Sequence, residues 1–308
     1  MDKITDIVVV RKQGARPQFH IAGSGGALIA DEAGHVTWSI GFDFGQDHVD
    51  IVDVNGDGVE EYLNRGNWSY PAALIGRDGA GIWTYGGMPG VDDAASGDIN
   101  GDGALEFVVG FNGDGGVRLI DKNGKMIWRQ PDGNVWHVEM VDANGDGRPE
   151  IVHSNAGGEM TIRDKHGSVL GRSRPGPYFS HFSLCAWPTR GARRYALLAE
   201  DDVIWLFDFK GNVRARFRAP ACGTLGMAWG TTVKLRRNEP GYLAVIVEYD
   251  TYNKSILYLY EPGGKLVYQE ALPEACGSIA AAPLAKSSSE ALLVGGTGRV
   301  WRYDAAKP

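Results

Sequence analysis

Three near-identical nonapeptides recur in this chain: DVNGDGVEE (53–61), DINGDGALE (98–106) and DANGDGRPE (142–150), spaced 45 and 44 residues apart. A period of this length marks one supersecondary unit that cannot bury both of its faces alone, so neighbouring units must stack. After each nonapeptide comes a short apolar run: Tyr62-Leu63, Phe107-Val108-Val109 or Ile151-Val152. A second pattern, LIADEAGHVTW, LIGRDGAGIW and LIDKNGKMIW, ends at Trp38, Trp83 and Trp128 and reads as strand, glycine turn, strand.

Weaker copies extend the series both ways. RKQGARPQFHI (11–21) and RGARRYALL (190–198) occupy the loop and second strand of further units, and IWLFDFKGNVRARF (204–217), LYLYEPGGKLVY (257–268) and VWRYD (300–304) supply later outer strands. Loop positions fall near residues 11, 53, 98, 142, 187, 230 and 284, which predicts seven units of about four short strands. The expectation is an all-β, seven-bladed β-propeller with about four antiparallel strands per blade, formed as one domain over residues 1–308. No segment shows the 3.6-residue period of an amphipathic helix. Residues 4–10 fit the innermost strand of the first blade, and the last blade lacks a clear outermost strand. The 44 glycines among 308 residues, about twice the ordinary usage of ~7%, agree with many tight turns.

The nonapeptide has the chemistry of a cation loop. In the first copy the side chains of Asp53, Asn55 and Asp57 alternate along a tight turn, Gly58 permits the left-handed backbone, the Val59 carbonyl faces inward and Glu61 closes the shell. All donors are hard oxygens, which favours Ca²⁺ over zinc or copper. An EF-hand begins alike but closes its shell three residues later, between helices. The formal charge of -7 would fall near neutrality with three divalent ions, and it argues against a nucleic-acid partner.

These residues resemble the FG-GAP or VCBS repeat, best known from the seven-bladed calcium-binding propellers of integrin alpha chains, and the whole is similar to propeller-fold polysaccharide lyases. The resemblance implies about three structural Ca²⁺ ions. Their ligands are Asp53, Asn55, Asp57, Val59 and Glu61; Asp98, Asn100, Asp102, Ala104 and Glu106; and Asp142, Asn144, Asp146, Arg148 and Glu150, with Val59, Ala104 and Arg148 acting through their carbonyls. Other blades depart from the motif, with Arg11, Arg190 and Leu235 near the equivalent loops.

Repeat phase also marks candidate functional residues. Five positions before Asp53, Asp98 and Asp142 stand His48, Asp93 and His137, and the same phase selects Asp6 and His181. These positions lie where innermost strands begin, at one mouth of a propeller channel, and suit acid–base work or metal binding. Loops expected on that face add Arg172, Arg174 and Tyr178; Arg65, Asn67, Trp68 and Tyr70; His153 and Asn155; and Glu248, Tyr249, Asp250 and Tyr252. Aromatic faces with a polar rim match a sugar ring.

Two functions follow as expectations. As a carbohydrate-active lyase, Arg174 would offset a uronate carboxylate, His137 or His181 would abstract a proton, and Tyr178 or His48 would protonate the leaving oxygen. Asp93, Arg65, Asn67, Trp68, Tyr70, His153, Tyr249 and Tyr252 would then bind substrate. As a recognition module, the same face would hold a glycan or a protein partner without chemistry. A hydrolase is less favoured because no acid pair stands out beyond the cation loops, and a quinone-cofactor propeller has only Trp38, Trp83 and Trp128 to support it.

No apolar run approaches the ~20 residues of a membrane span, and residues 1–10 lack signal-peptide features, so a soluble monomer is expected, with calcium leaning towards an extracytoplasmic setting. Cys185, Cys222 and Cys276 form no zinc or disulfide pattern and are expected as buried free thiols.

Overall fold

The computed structural model describes residues 3–11, 16–43, 48–68, 70–187, 194–220, 225–235, 241–283 and 289–304. Among them every regular element is a strand. The first sheet contains β1 (Ile4–Val10), β2 (Gln18–Gly23), β3 (Gly26–Ala30) and β4 (Val36–Gly41). The second contains β5 (Val49–Val52), β6 (Glu61–Asn64), β7 (Ala72–Ile75) and β8 (Gly81–Tyr85), and the third β9 (Val91–Gly97), β10 (Glu106–Phe111), β11 (Gly116–Ile120) and β12 (Met126–Gln130). The fourth holds β13 (Val135–Val141), β14 (Glu150–Asn155), β15 (Met160–Arg163) and β16 (Val169–Ser173), and the fifth β17 (Ser183–Ala186), β18 (Arg194–Glu200), β19 (Val203–Phe207) and β20 (Val213–Arg218). The sixth holds β21 (Leu225–Val233), β22 (Tyr242–Tyr249), β23 (Lys254–Tyr260) and β24 (Leu266–Ala271), and the seventh β25 (Ser278–Pro283), β26 (Glu290–Gly295) and β27 (Val300–Tyr303).

Each sheet is a meander paired in sequence order, six with four strands and the last with three. The fold is thus the all-β, seven-bladed propeller that the period predicts, with β1 opening the first sheet. The chain groups into two compact units: Met1–Gln46, Ser183–Leu206 and Arg214–Pro308 form the first, and Asp47–Phe182 with Phe207–Val213 the second. No helix among the described residues is long and apolar enough to cross a membrane.

Burial runs from inner to outer strands. All six residues of β10 are buried, whereas β12 is mostly exposed. Such a pattern follows when the middle strands are covered on both faces and the outer edge meets water. In the second unit Val52, Leu63, Leu74, Val91, Phe107 and Phe111 form one cluster, and Val108, Leu119, Val135, Val138 and Ile151 another. Each such side chain contributes about 1.5–3 kcal/mol. In the first unit Ile4, Ile7, Phe19 and Ile21 pack with Ala282 and Leu293, joining the first and seventh sheets.

The turns before outer strands follow one recipe. Asp31, Asp121, Asp164 and Asp208 each accept backbone N–H groups from two and four residues ahead. The glycine three positions on, Gly34, Gly124, Gly167 or Gly211, has φ between 78° and 85°, a conformation that costs glycine little and other residues much.

The structure corrects some positions. The sixth loop position, expected near 230, falls instead inside β21, which runs to nine residues and includes Gly230. His153 and Asn155 lie within β14, and Glu248 and Tyr249 within β22, not in loops. Cys185 and Cys276 are buried free thiols, and Cys222 lies outside the described residues.

Candidate functional site

The residues selected by repeat phase sit beside irregularities in innermost strands. In β9 the pairing with β10 slips between Val91 and Asp93, which makes Asp92 a bulge. In β13 the pairing with β14 slips between Val135 and His137, which does the same for Trp136. A bulge sets two consecutive side chains against one partner and re-aims them. Asp93 and His137 therefore turn inward together, and His137 Nδ1 meets Asp93 Oδ2 at 2.5 Å.

Around this pair lies a buried charge network, all in the second unit. Arg65, carried just beyond β6, donates from Nε to Asp93 Oδ1 at 2.8 Å and from Nη2 to Asp93 Oδ2 at 3.0 Å. The same guanidinium donates to Glu139 Oε1 at 3.1 Å and to the Val138 carbonyl at 2.9 Å, and it faces Asp50 at 3.5 Å. The Ala94 and Val138 backbone N–H groups also donate to Asp93. His48 joins the network through Asp50 at 3.2 Å, and the His181 ring lies 5.7 Å from that of His137.

Electrostatics separate the two neighbouring histidines. Burial works against the charged form of His137, but the charge and hydrogen bond of Asp93, then Glu139, prevail and raise its pKa to about 9. Burial also works against ionisation of Asp93, yet Arg65 and His137 hold it far below the usual carboxylate range. His181, whose ring remains partly exposed, is lowered to about 4 by crowding and by the His137 charge. At neutral pH His137 is a cation locked on Asp93, and His181 is a neutral imidazole. Environments that push two such groups apart define an acid and a base.

Asp50 and Glu139 were not singled out from sequence, although each stands two residues beyond a chosen histidine and so shares its face of the strand. Trp136 and Asp92 were also missed. Trp136 stacks near His181 at 6.2 Å and meets Tyr178 edge-on at 6.1 Å. Asp92 is raised to about 6 by burial and by Asp93, and Asn134 can bridge it to the Trp136 indole at 3.3 Å on each side.

Other predicted residues are placed differently. Tyr178 is exposed and its hydroxyl donates to the Ala156 carbonyl. Arg174 is 71% exposed and stands 3.8 Å from Glu159, as does Arg172. His153, expected to bind substrate, is buried and faces Asp132 at 3.4 Å, which also holds Arg163. Tyr249 is buried in the first unit, with its hydroxyl 2.8 Å from that of Tyr258. Neither can reach a ligand at the surface. Tyr252 is exposed in that unit, Glu248 pairs there with Lys3 at 2.8 Å, and Asp6 lies within β1.

A separate exposed patch lies on abutting loops of the second unit. Asn67 and Tyr70 exchange backbone hydrogen bonds, which thrusts Trp68 outward with 73% of its surface exposed; Tyr70 is exposed and Met88 is 95% exposed. The loops touch so closely that a side chain added at Gly90 would come within 2.9 Å of the Trp68 carbonyl.

The three nonapeptides fold alike. Asp53, Asp98 and Asp142 each accept three backbone N–H bonds from their own turns. Asn55, Asn100 and Asn144 each donate from Nδ2 to the Asp two residues on. Asn100 and Asn144 donate also to Glu106 at 2.8 Å and Glu150 at 2.7 Å. Burial and neighbouring aspartates raise Glu61, Glu106 and Glu150. The donor set fits a hard cation in type and spacing. No three acid, His or Cys groups among the described residues converge as a ready-made metal site; in the second and third loops the Asn100 and Asn144 amides stand between two acids and supply partial positive charge there.

An FG-GAP-like repeat profile matches residues 98–153. No curated protein matches the sequence. Among solved structures, the BBS1 N-terminal domain in complex with ARL6, soaked with lead, has TM-score 0.60 at 11% identity and covers 99% of this chain and 96% of that one. Its mercury-soaked counterpart gives TM-score 0.62 at 10% identity, over 100% and 94%. The Pan2 WD40 domain of Neurospora crassa gives 0.56 at 11%, over 100% and 90%. Identities this low establish the propeller fold alone.

Proposed function

We propose that this propeller with an FG-GAP-like repeat is a recognition module that docks a protein partner on the second-unit loops bearing Trp68, Tyr70 and Met88. One observation carries the reading: large apolar side chains stand in solvent on adjoining loops, with Trp68 at 73% and Met88 at 95% exposure. Contiguous exposed apolar surface on a folded domain marks an interaction site, and Trp and Tyr dominate binding hot spots. The ion network, meanwhile, is internally paired and stiffens the scaffold. The solved BBS1 domain, a propeller of similar fold, is itself held in a complex with ARL6. The test compares captures by the wild-type chain and by a Trp68→Ala/Met88→Ala chain of equal melting temperature. A partner retained by the first and lost by the second is expected; identical captures sink the reading.

A second reading rests on the His137–His181 pair. Their opposed pKa values would allow neutral His181 to take a proton and cationic His137 to stabilise or protonate, beside the Trp136–Tyr178 aromatic pair, with exposed Arg174 meeting a uronate carboxylate. Uronate polysaccharides screened for the ultraviolet absorbance of an unsaturated product would show activity that His181→Ala abolishes. Silence across the panel removes this reading.

Calcium completes the proposal. Asp53, Asp98, Asp142 and their partners through Glu61, Glu106 and Glu150 would each hold one structural ion, supplying the positive charge that the crowded acids lack. The ions act on the loops between first and second strands, and such sites suit an extracytoplasmic setting.

A further inference from the structure

The outer strands β12 and β16 share one irregularity. Ile120 pairs with Met126 and Leu119 with Trp128, which leaves Ile127 as a bulge; Arg163 pairs with Val169 and Ile162 with Gly171, which leaves Leu170 as another. A bulge breaks the in–out alternation of a strand, so two consecutive side chains can face solvent together. Met126, Ile127, Val169 and Leu170 are accordingly between 44% and 55% exposed.

The two strands belong to one continuous rim. Trp83 of β8 donates from Nε1 to the Lys122 carbonyl at 3.1 Å, in the turn before β12, and Trp128 of β12 donates to the Lys165 carbonyl at 2.8 Å, in the turn before β16. A methyl group built on Gly167 would come 2.7 Å from the Gln130 amide. Residues 121–130 and 164–174 thus adjoin, and all of them lie in the second unit.

Positive charge concentrates there. Lys122, Lys125, Arg129, Lys165, Arg172 and Arg174 are exposed, against two acids in the same segments, Asp121 and Asp164, in a chain of formal charge -7. Both of those acids accept backbone N–H groups of their own turns. Glu159 stands 3.8 Å from Arg172 and from Arg174 and offsets one of them. Lys125, Arg129 and Lys165 are in no ion pair among the described residues. The outer segment of the sixth sheet, 261–270, also exposes an apolar pair, Val267 and Tyr268, but it carries two acids to one lysine.

We propose that this rim rests on a membrane surface rich in anionic lipid. The cations are drawn to the headgroups, and the four apolar side chains held out by the bulges reach the acyl boundary. An added strand is the poorer occupant, because bulges and edge lysines both obstruct pairing at a sheet edge. This surface is separate from the Trp68 patch and stands or falls independently of it.

The full 308-residue protein is sedimented with vesicles of phosphatidylcholine alone and with vesicles of equal phosphatidylcholine and phosphatidylserine. Binding to the mixed vesicles, with release at high salt, is expected. Lys125→Gln/Arg129→Gln/Lys165→Gln should weaken partitioning about a hundredfold, at roughly fivefold per cation. Ile127→Ser/Leu170→Ser should weaken it about tenfold. Both variants alter exposed side chains, so their melting temperatures should match wild type. Trp68→Ala/Met88→Ala should bind vesicles as wild type does. Absence of binding, equal binding to phosphatidylcholine alone, or full binding by either rim variant overturns the proposal. So does loss of binding in Trp68→Ala/Met88→Ala, which would give the lipid to that patch. Capture of heparin or poly-glutamate without capture of vesicles overturns it too, and would assign the rim to a soluble polyanion.

Discussion

At Arg65 one guanidinium meets Asp93, Glu139 and Asp50, and a single substitution there takes a shared cation from three acids, leaving them to His137 and His48. Arg65→Met should cost about 3–5 kcal/mol of unfolding free energy, read from denaturant melts, because removing one member of a buried pair leaves uncompensated charge. The two histidines add a pH signature of opposite signs. His137, raised from 6.5 to about 9, holds a proton in the folded state that the unfolded chain releases, so its contribution is complete below 6.5 and fades as pH climbs through 9. His181, lowered from 6.5 to about 4, acts in reverse: stability falls as pH drops across that interval, by a smaller amount because its ring is partly solvated. Ring-proton shifts followed by NMR should resolve the two midpoints, and coincident titrations near 6.5 would refute the network as described. Repeat phase made Asp93 and His137 legible in the sequence. Arg65's partnerships were not, since they join residues 28 and 74 positions apart, a pairing that only the stacking of sheets creates.

At the level of strands and loops, regularity decided what could be read in advance. The Asp-x-x-Gly turns and nonapeptide loops sit where composition placed them, because their backbones demand Gly and Asp. Strand length was less legible. β6 has four residues but β14 has six and β22 eight, so residues expected in loops, His153 and Tyr249 among them, became interior. Bulges at Asp92 and Trp136 were likewise invisible, since one extra residue leaves no mark in an apolar pattern. Calcium, as proposed, is a property of these loops. Removing it with a chelator should lower the melting temperature by about 10 °C, from binding of three ions at roughly a hundred times their dissociation constants. Added calcium should restore it, and an unchanged melt would exclude the ions.

For the whole chain, the fold class followed from one period, because units of this length with four strands have few ways to bury their faces. Function followed less directly, since aromatic loop residues serve sugars and proteins alike. The Trp68 patch makes the difference measurable. Both side chains of the double variant are exposed, so its stability should stay within about 0.5 kcal/mol of wild type while partner capture is lost.

Two outer strands each place an indole against the turn of the sheet that follows. Trp83 of β8 donates to the Lys122 carbonyl in the turn at 121–125, and Trp128 of β12 to the Lys165 carbonyl in the turn at 164–168. A contact is shared by both of its partners, so a fault in β8 or in the turn at 121–125 loosens the other, and neighbouring sheets carry strain in common.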